Sequence, residues 1–202
     1  MAESLTYKCI AASSTGVYRE KGSRFLSFAY PVSGEEEVNA RLDELRKKHH
    51  AARHICFAYR INPERPLVRA SDAGEPSNTA GKPILTQLES CLLFNVLICV
   101  VRYFGGVKLG TSGLVRAYKR AAMDVINNAR IIEKQPHSVL RIRFGHSHMN
   151  DIMQWIKGNE TQVLQKELGM HPEMWVEINT ADLERALSFL QRIEGTQISV
   201  ER

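Results

Sequence analysis

The side chains most able to do chemistry in this sequence are positive charges gathered around a glycine-rich segment. Between Ser90 and Met123 there is no Asp or Glu, whereas five Arg and Lys residues fall there: Arg102, Lys108, Arg116, Lys119 and Arg120. Positive side chains beside free backbone N–H groups favour the binding of an anion such as a phosphate. We therefore treat these five residues, together with Lys82, as candidate contacts for a nucleic acid or another anion. A glycine-rich turn beside an ordinary solvated helix face is the alternative interpretation.

The pattern predicts a strand, a glycine-rich connection and an amphipathic helix as the elements that hold these charges. Residues 98–101 are β-branched or small and apolar, as expected of a strand covered on both faces. Thr111 or Ser112 is expected to cap the helix that follows. The apolar face of that helix is formed by Leu114, Tyr118, Ala121, Ala122 and Val125. The basic residues of the helix are three and four positions apart, so they share a second face.

Two nucleotide-site motifs resemble this segment only in part. The spacing Gly105-x4-Gly110 fits a phosphate loop, but Thr111 and Ser112 follow, so the lysine that reaches the β- and γ-phosphates is absent. The glycine- and serine-containing loop also has a superficial likeness to the small-molecule kinases of the galactokinase–homoserine kinase group. No partner motif for a base or a substrate accompanies it, so neither nucleotide site is favoured.

Histidines offer two candidate metal sites, and both have a simpler explanation. His146 and His148 stand two residues apart, with Asp151 nearby, and residues at that spacing cannot lie on the same helix face. The other set, around a predicted helix-to-strand turn, is His49, His50 and His54. A helix C-terminus at that turn favours a protonated imidazole. Solvated loop histidines are therefore favoured at His146 and His148, metal binding is also less favoured for the second set, and no metal or cofactor is predicted.

Asp72 and Glu75 are the candidate acid–base pair. Two carboxylates in one loop can serve as a general acid and a general base. Without a neighbouring histidine or metal cluster, they are better interpreted as loop carboxylates that hold backbone N–H groups or a lysine. No Ser or Cys sits in a recognisable nucleophile elbow. No catalytic residue is therefore predicted, and an enzyme is the less favoured class.

The overall composition is that of an ordinary globular protein, and its charge favours polyanionic partners. The chain has 202 residues, 44% of them hydrophobic and 24% charged, with a formal net charge of +5. Residues 1–7 lack a basic-then-apolar run, and no apolar segment approaches the roughly 20 residues of a membrane helix. The cysteines lack C-x-x-C spacing and are interpreted as buried thiols: Cys9, Cys56, Cys91 and Cys99. We therefore expect a cytoplasmic protein without a membrane segment.

The first part of the chain is predicted to begin with paired strands. They cover residues 7–13, 17–18 and 24–30, with a turn at Gly16. Ser33 and Glu36 form a predicted capping box at the start of a helix. The inner face of this helix is Val38, Leu42, Leu45 and His49.

A strand and two loops follow the first helix. Residues 54–61 are predicted as the strand, and residues 62–70 as a plain surface loop. Residues 71–83 are rich in small residues and lead into a helix carrying Ile84, Leu85 and Leu88. A loop of this length in a compact domain is usually functional or mobile.

A polar segment at residues 133–137 separates a second pattern. Leu140, Ile142 and Phe144 alternate as a strand, and a helix, two strands, a second helix and a final strand follow. The order βαββαβ is that of a ferredoxin-like fold. The sequence therefore predicts two α+β domains, at residues 1–134 and 135–202.

With these residues laid out, the sequence resembles the IMPACT/YigZ family. Residues 21–25, 54–59, 72–85 and 100–118 carry the resemblance, the last with the long run R-Y-F-G-G-x-K-L-G. The loop positions that match the family motifs are Asp72, Gly74, Glu75, Thr79, Gly81, Tyr103, Gly105, Gly106 and Gly110. The resemblance is strong over residues 7–130, and beyond them it extends to length and element order, as in bacterial-type two-domain members.

The resemblance implies a fold and a role linked to translation. The first domain would resemble the second domain of ribosomal small-subunit protein five, and the second the ferredoxin-like last domain of elongation factor G. Eukaryotic IMPACT restrains the kinase that phosphorylates initiation factor 2 during amino-acid starvation, by competing for its activator protein. For two-domain relatives, the resemblance implies an RNA-binding or translation-linked role without an established reaction.

Three positions depart from the family pattern. Ala73 replaces the second acid of the acidic loop, and Asn78 and Ser112 replace usual glycines. A catalytic pair of acids would not tolerate Ala73, which weakens the enzyme interpretation further.

We expect a non-enzymatic RNA- or ribosome-binding module linked to translation. The basic residues would contact phosphates, and Tyr103 or Phe104 would stack on a base. The alternatives are an enzyme that acts on a small anionic substrate between loops 72–81 and 105–113, and a protein-interaction regulator of translation like eukaryotic IMPACT.

Overall fold

A computed structural model describes residues 6–159 and 161–201. The chain divides into two compact units, an N-terminal unit of Tyr7–Lys134 and a C-terminal unit from Gln135 onward. None of the helices that the structure describes is long and apolar enough to cross a bilayer. The four cysteines named above are free, and all but the half-buried Cys91 are buried.

The N-terminal unit contains seven strands and three helices: β1 Tyr7–Ile10, β2 Ser14–Glu20, β3 Ser23–Pro31, α1 Glu35–Lys48, β4 His54–Ile61, β5 Leu67–Ser71, α2 Gly81–Ser90, β6 Val96–Tyr103, α3 Gly110–Asn127 and β7 Ile131–Lys134. Five strands form an antiparallel sheet in the order β2-β3-β6-β4-β5. Strands β1 and β7 pair separately and antiparallel.

Strand β6 lies at the centre of this sheet, and both of its faces are covered. Ile98 and Val100 belong to a core that includes the buried sides of α2 and α3. Leu97 and Cys99 point to the opposite side, where they join the core under α1. The prediction of an apolar strand buried on both faces is therefore confirmed. The predicted apolar face of α3 is also confirmed, since all of its members are buried.

Two predictions at the start of the chain are wrong. Gly16 does not form a turn but lies within β2, where a Cβ would come 2.5 Å from the Asp124 Oδ2 atom of α3. The turn falls at Lys21 and Gly22, whose φ angles of 45° and 77° suit a tight two-residue hairpin. The first strand pairs with β7 and not with its neighbour in sequence.

Helix capping and one loop also differ from the predictions. Ser33 bonds to Glu37, not Glu36, through its backbone N–H and its hydroxyl, both at 2.9 Å. Helix α3 begins one residue before Thr111, with Leu109 at the N-cap and no side-chain cap. The segment predicted as a plain surface loop contains β5, an exposed edge strand that the intervening turn aligns with β4.

The C-terminal unit contains four strands and two α-helices: β8 His137–Arg143, α4 Met149–Gly158, β9 Gln162–Glu167, β10 Glu173–Asn179, α5 Leu183–Leu190 and β11 Gln197–Glu201. The antiparallel sheet has the order β11-β8-β10-β9. One side of this sheet packs against α4 and α5 in a single apolar core. The α+β class and the ferredoxin-like βαββαβ order are confirmed.

Candidate anion-binding site

A cavity of about 820 Å³ opens in the N-terminal unit. It lies between the loop that joins β5 to α2 and the loop that joins β6 to α3, and its lining includes Arg53, His54, Glu75, Arg102, Phe104 and Lys108. This volume is in the range of about 300–1,000 Å³ that is typical of small-ligand sites. Both family-motif loops therefore contribute to one concave surface.

The base of the cavity is a buried polar network. Arg102 donates from Nη1 to Glu75 Oε1 at 2.6 Å, and the Tyr118 hydroxyl donates to the same oxygen at 2.8 Å. The Cys56 Sγ atom lies 3.0 Å from the Asp72 carbonyl and 3.3 Å from the Tyr118 hydroxyl, and its single proton can be donated to either oxygen. Burial raises the pKa of Cys56 to about 12 and also raises the pKa of Tyr118, so both groups stay protonated and act as donors. Arg102 and Glu75 are thus fixed from behind.

Arg102 is not the exposed cation that the sequence analysis expects. Its side chain is only 9% exposed, because Arg102 is the next-to-last residue of β6, the central strand whose two faces are both covered. One nitrogen is committed to Glu75, whereas the buried Nε atom has no hydrogen-bond partner among the described residues. The structure therefore places a positioned guanidinium, and not a solvated one, in the cavity lining.

Asp72 organises the acidic loop. Its Oδ1 atom accepts from the backbone N–H groups of Ala80 and Gly81 at 2.9 and 2.8 Å, and its Oδ2 atom accepts from Asn78 N at 2.8 Å. Burial alone would raise the pKa of Asp72, but these three donors outweigh it and lower the pKa below its usual value. The carboxylate satisfies free N–H groups at the start of α2.

One of the two family departures in this loop has a backbone explanation, and nothing in the structure explains Ala73. Ala73 and Asn78 have positive φ angles of 44° and 60°, and Gly74 has 87°. Asn is the residue other than glycine that best tolerates the left-handed region, so Asn78 can replace a glycine there. The Ala73 carbonyl accepts a 2.9 Å bond from His54 Nδ1, which ties the loop to the start of β4. Thr79 closes the turn through a 2.6 Å bond from its hydroxyl to the Pro76 carbonyl.

Glycine at position 105 fixes where the second loop leaves the sheet. A Cβ at Gly105 would lie 1.9 Å from the backbone carbon of Gly22, so only glycine permits this close approach to the β2–β3 hairpin. Its N–H also donates to Ser23 Oγ at 3.1 Å. Gly106 and Gly110 then take positive φ angles of 87° and 71°, which carry the chain around the cavity rim.

The aromatic residues of the motif have different environments. Phe104 is 59% exposed at the rim, where a flat ligand can reach its ring. Tyr103 is half-buried, and its hydroxyl lies 2.9 Å from His49 Nδ1. Burial lowers the pKa of His49, so a neutral imidazole can accept this hydrogen bond. Of the two candidate stacking residues, Phe104 is therefore the accessible one.

The cavity rim carries positive charge that nearby acids do not offset. Arg53 and Lys108 are exposed, and neither forms an ion pair within the part of the chain that the structure describes. Glu75 is the one carboxylate in the lining, and it is engaged by Arg102. The first turn of α3, at Gly110, adds free N–H groups and has no acidic residue or side-chain cap.

The remaining predicted anion contacts lie outside the cavity lining. Arg116 has Nη2 3.6 Å from Glu20 Oε1, and Arg120 donates to the Tyr18 hydroxyl at 3.3 Å. Lys119 and Lys82 are exposed, on α3 and in the first turn of α2. The structure therefore brings Arg102 and Lys108 together and separates the other four from them. Arg53 and His54 join them, although a lone arginine before a strand carries no spacing signal.

The histidines of the C-terminal unit have ordinary partners. His146 Nε2 lies 2.9 Å from the Gly169 carbonyl, and His148 Nδ1 lies 3.4 Å from Asp151 Oδ2. No group of three or more His, Cys, Asp or Glu residues suited to hold a metal occurs among residues 6–159 and 161–201. These positions support solvated histidines with local contacts.

The open side of the C-terminal sheet is rich in carboxylates. Arg141 pairs with Glu173 at 2.6 Å and stacks over the Trp175 ring at 5.2 Å from its centroid. Register places Glu177 and Glu201 on the same side, opposite Val139. Arg143 lies on the same side, 3.6 Å from Glu173, so three carboxylates outnumber two arginines around the aromatic ring, which disfavours phosphates.

An antiparallel sheet with helices on both sides, and a cavity framed by two glycine-containing loops, define the N-terminal unit as an α+β domain with one concave surface. The family model of the Impact N-terminal domain matches residues 21–126, more than half of the chain. The chain belongs to the IMPACT family.

Individual relatives agree with this assignment. The IMPACT family member YvyE of Bacillus subtilis is 34% identical over 146 residues, which are 72% of this chain and 66% of that protein. The IMPACT family member YigZ of Escherichia coli is 37% identical over 128 residues, 62% of this chain and 63% of that protein. The chain thus spans slightly less than two thirds of each relative. The crystal structure of a hypothetical protein covers 98% of both chains with 26% identity and a TM-score of 0.74.

Proposed function

We propose that this chain is a cytoplasmic, translation-linked RNA-binding protein, and that the cavity of the N-terminal unit makes its principal phosphate contacts. The observation that carries the proposal is the positive charge of Arg53 and Lys108, which form no ion pair among the described residues, beside the uncapped start of α3. Phosphate contacts by Arg, Lys and helix N-termini dominate the affinity of proteins for nucleic acids.

Exposed residues outside the cavity extend the proposed contact. Lys119 and Lys82 are exposed without described ion pairs, and Arg116 and Arg120 are exposed on the same helix as Lys119. Arg116 lies 3.6 Å from Glu20, and solvent screens that contact, so all four side chains can meet further phosphates of a strand that enters the cavity. Such solvated contacts add little specificity and are screened by salt.

The link to translation rests on the IMPACT family. The resemblance set out above connects this family with regulation of initiation and with RNA- or ribosome-binding folds. A ribosome or an RNA is therefore the proposed partner, and a translation-related protein is the alternative. The free cysteines agree with a reducing compartment.

Filter binding of total RNA tests the proposal. Wild-type protein should retain RNA at about 50 mM salt and lose most of it at about 200 mM, because phosphate contacts release counterions. The double variant R53Q/K108Q should retain much less RNA at low salt. The matched control R65Q/K157Q removes two exposed charges outside the cavity and should behave as wild type. If the wild type retained no RNA at either salt concentration, the proposed RNA binding would be wrong.

One observation also favours an enzyme acting on a small anionic substrate: the cavity lies between the two motif loops. Against it, Asp72 accepts from three backbone N–H groups, and Arg102 and Tyr118 both donate to Glu75 Oε1, so each carboxylate already has a structural role. A thermal-shift screen of nucleotides and sugar phosphates separates the candidates. A rise in melting temperature with one of these compounds would support the enzyme hypothesis. An unchanged melting temperature with all of them would count against it.

A further inference from the structure

We propose that the cavity recognises the terminal phosphate monoester of an RNA strand, with the adjoining base stacked on Phe104. This inference rests on the proposed RNA-binding function and names the part of the RNA that the site selects. Four features of the cavity carry it: its depth, its charge, a fixed arginine at its base, and an exposed aromatic ring at the rim.

The cavity runs from an exposed rim to a buried base. Arg53, Phe104 and Lys108 are exposed, whereas Arg102 and Leu114 are only 8% and 6% exposed. A phosphodiester within a strand has a sugar on each side, so both chain directions would have to descend toward Arg102. A terminal phosphate has one such neighbour and can reach the base while the rest of the strand leaves over the rim.

The charge of the cavity matches a dianion. The positive charge of Arg102 is offset by Glu75 at 2.6 Å, which leaves Arg53 and Lys108 as two uncompensated cations. A phosphate monoester carries a charge of about −1.5 to −2 near pH 7, because its second pKa is about 6. A phosphodiester carries a single negative charge and would leave one of these cations unmatched.

Arg102 places a fixed positive charge at the base of the cavity. Its Nη1 atom donates to Glu75 Oε1, and the Tyr118 hydroxyl donates to the same oxygen. The Arg102 side chain is 9% exposed and belongs to the cavity lining. A terminal phosphate at the base of the cavity would make a charge-assisted contact with the accessible part of this side chain.

Phe104 suits the nucleotide next to this phosphate. Its ring is 59% exposed at the rim, and the Arg102 guanidinium lies 5.7 Å from the ring centroid. Stacking on an aromatic ring tolerates every base, so it adds affinity without reading the sequence. The predicted ligand is therefore an RNA end of any sequence, recognised by its phosphate.

Fluorescence anisotropy with one RNA decamer in several chemical forms tests the inference. The forms carry a 5′-phosphate, a 3′-phosphate, hydroxyls at both ends, or a 5′-phosphate blocked as its methyl ester, all labelled on an internal base. One monoester form should bind at least about tenfold more tightly than the hydroxyl form, as expected for charge-assisted bonds to a dianion. The methyl ester should lose most of this gain, and the preferred monoester identifies the 5′ or the 3′ end.

Matched variants show whether the gain arises in the cavity. R53Q/K108Q should remove the difference between the monoester and hydroxyl forms. R116Q/K119Q removes two charges from the exposed face of α3 and should weaken both forms while preserving their ratio. F104A should weaken every form, since the stacked base is present in all of them. A ratio that survives in R53Q/K108Q would overturn the inference.

Different results would contradict the selection of an RNA end and the proposed RNA-binding function. Equal binding of all four decamers would overturn selection of an RNA end and leave RNA binding intact. Absence of binding by every decamer at low salt would overturn both. Tight binding of adenosine 5′-monophosphate without binding of any decamer would also overturn both and point to a small-molecule site.

Discussion

Two Arg–Glu pairs of equal length occupy the two units and have different surroundings. Arg102 and Glu75 are 2.6 Å apart with side chains 9% and 4% exposed, whereas Arg141 and Glu173 are 2.6 Å apart with side chains 45% and 13% exposed. Distance alone therefore says little about what a pair does. Burial makes the first pair a fixed part of a binding cavity, and solvent leaves the second as a surface contact.

The comparison extends to the charges around each pair. At the cavity Glu75 is bound within the buried network, and Arg53 and Lys108 at the rim have no ion-pair partner in the part of the chain that the structure describes. On the C-terminal sheet Glu177 and Glu201 add negative charge beside the pair. Two surfaces that both carry arginine and an aromatic ring therefore present opposite fields to a phosphate. Counting basic residues along the sequence does not separate them.

Breaking the buried Arg102–Glu75 pair should cause the largest loss of stability. Glu75→Ala leaves Arg102 buried without its partner, and removing one member of a buried ion pair costs about 3–5 kcal/mol. Urea unfolding of the variant and of wild type measures the loss. Glu173→Ala is the matched change in the C-terminal unit and should cost far less. Equal losses in the two variants would contradict the distinction between the pairs.

Adding a methyl group at Gly105, where the β6–α3 loop approaches the β2–β3 hairpin, should cause the next largest loss of stability. Gly105→Ala places a Cβ 1.9 Å from the Gly22 backbone, and relieving such overlap costs about 1–3 kcal/mol. Gly169→Ala is the control from the C-terminal unit, since no atom lies within 4 Å of its added Cβ. Thermal unfolding of both variants compares them. A Gly105 variant as stable as the Gly169 variant would show that the hairpin contact is dispensable.

Removal of the Asp72 carboxylate should destabilise the acidic loop to a smaller extent. Asp72→Ala removes the acceptor for three N–H groups, two of them at the start of α2, and should cost about 0.5–2 kcal/mol, the range found when a capping side chain is removed from a helix. The folded pKa lies below the unfolded value of about 3.9. The stabilisation is therefore complete above that value and is lost as pH falls through the folded pKa.

Chemical denaturation at pH 6 and at pH 3 measures this dependence. The difference between wild type and the Asp72 variant should shrink at the lower pH. A difference that stays constant would mean that the charge of the carboxylate does not stabilise the loop.

Changing the exposed Arg141–Glu173 pair should have the smallest effect on stability and on RNA binding. Arg141→Gln removes a contact that solvent screens and a positive charge that lies among carboxylates. Its melting temperature and its retention of RNA should match those of wild type. Lost RNA retention in this variant would place phosphate contacts on the C-terminal sheet and reverse the comparison.

Periodic patterns predicted much of this fold correctly. The β-branched run of β6 identified a strand covered on both faces, because no polar side chain interrupts it. The spacing of Leu114, Tyr118 and Val125 identified the buried face of α3. Alternation and capping signals also located the C-terminal βαββαβ order. Each of these features depends on interactions between residues that are close in sequence.

Features that depend on distant partners were missed. The burial of Arg102 requires Glu75, which lies 27 residues earlier, and nothing in the spacing couples them. Considered without its tertiary contacts, Gly16 suggests a turn. Its lack of a side chain instead lets Asp124 of α3 approach β2 closely. Arg53 joins the site only because β4 lies beside β6 in the sheet. Tertiary pairing, and not local preference, decides these positions.

The salt dependence of RNA binding tests the central claim most directly. The claim is that Arg53 and Lys108 offer uncompensated charge to phosphates in the cavity. Each phosphate contact with a single strand contributes about 0.7 to the slope of log K against log salt concentration, so R53Q/K108Q should lower the slope by about 1.4. R65Q/K157Q should leave the slope unchanged. Equal slopes for wild type and R53Q/K108Q would contradict the account.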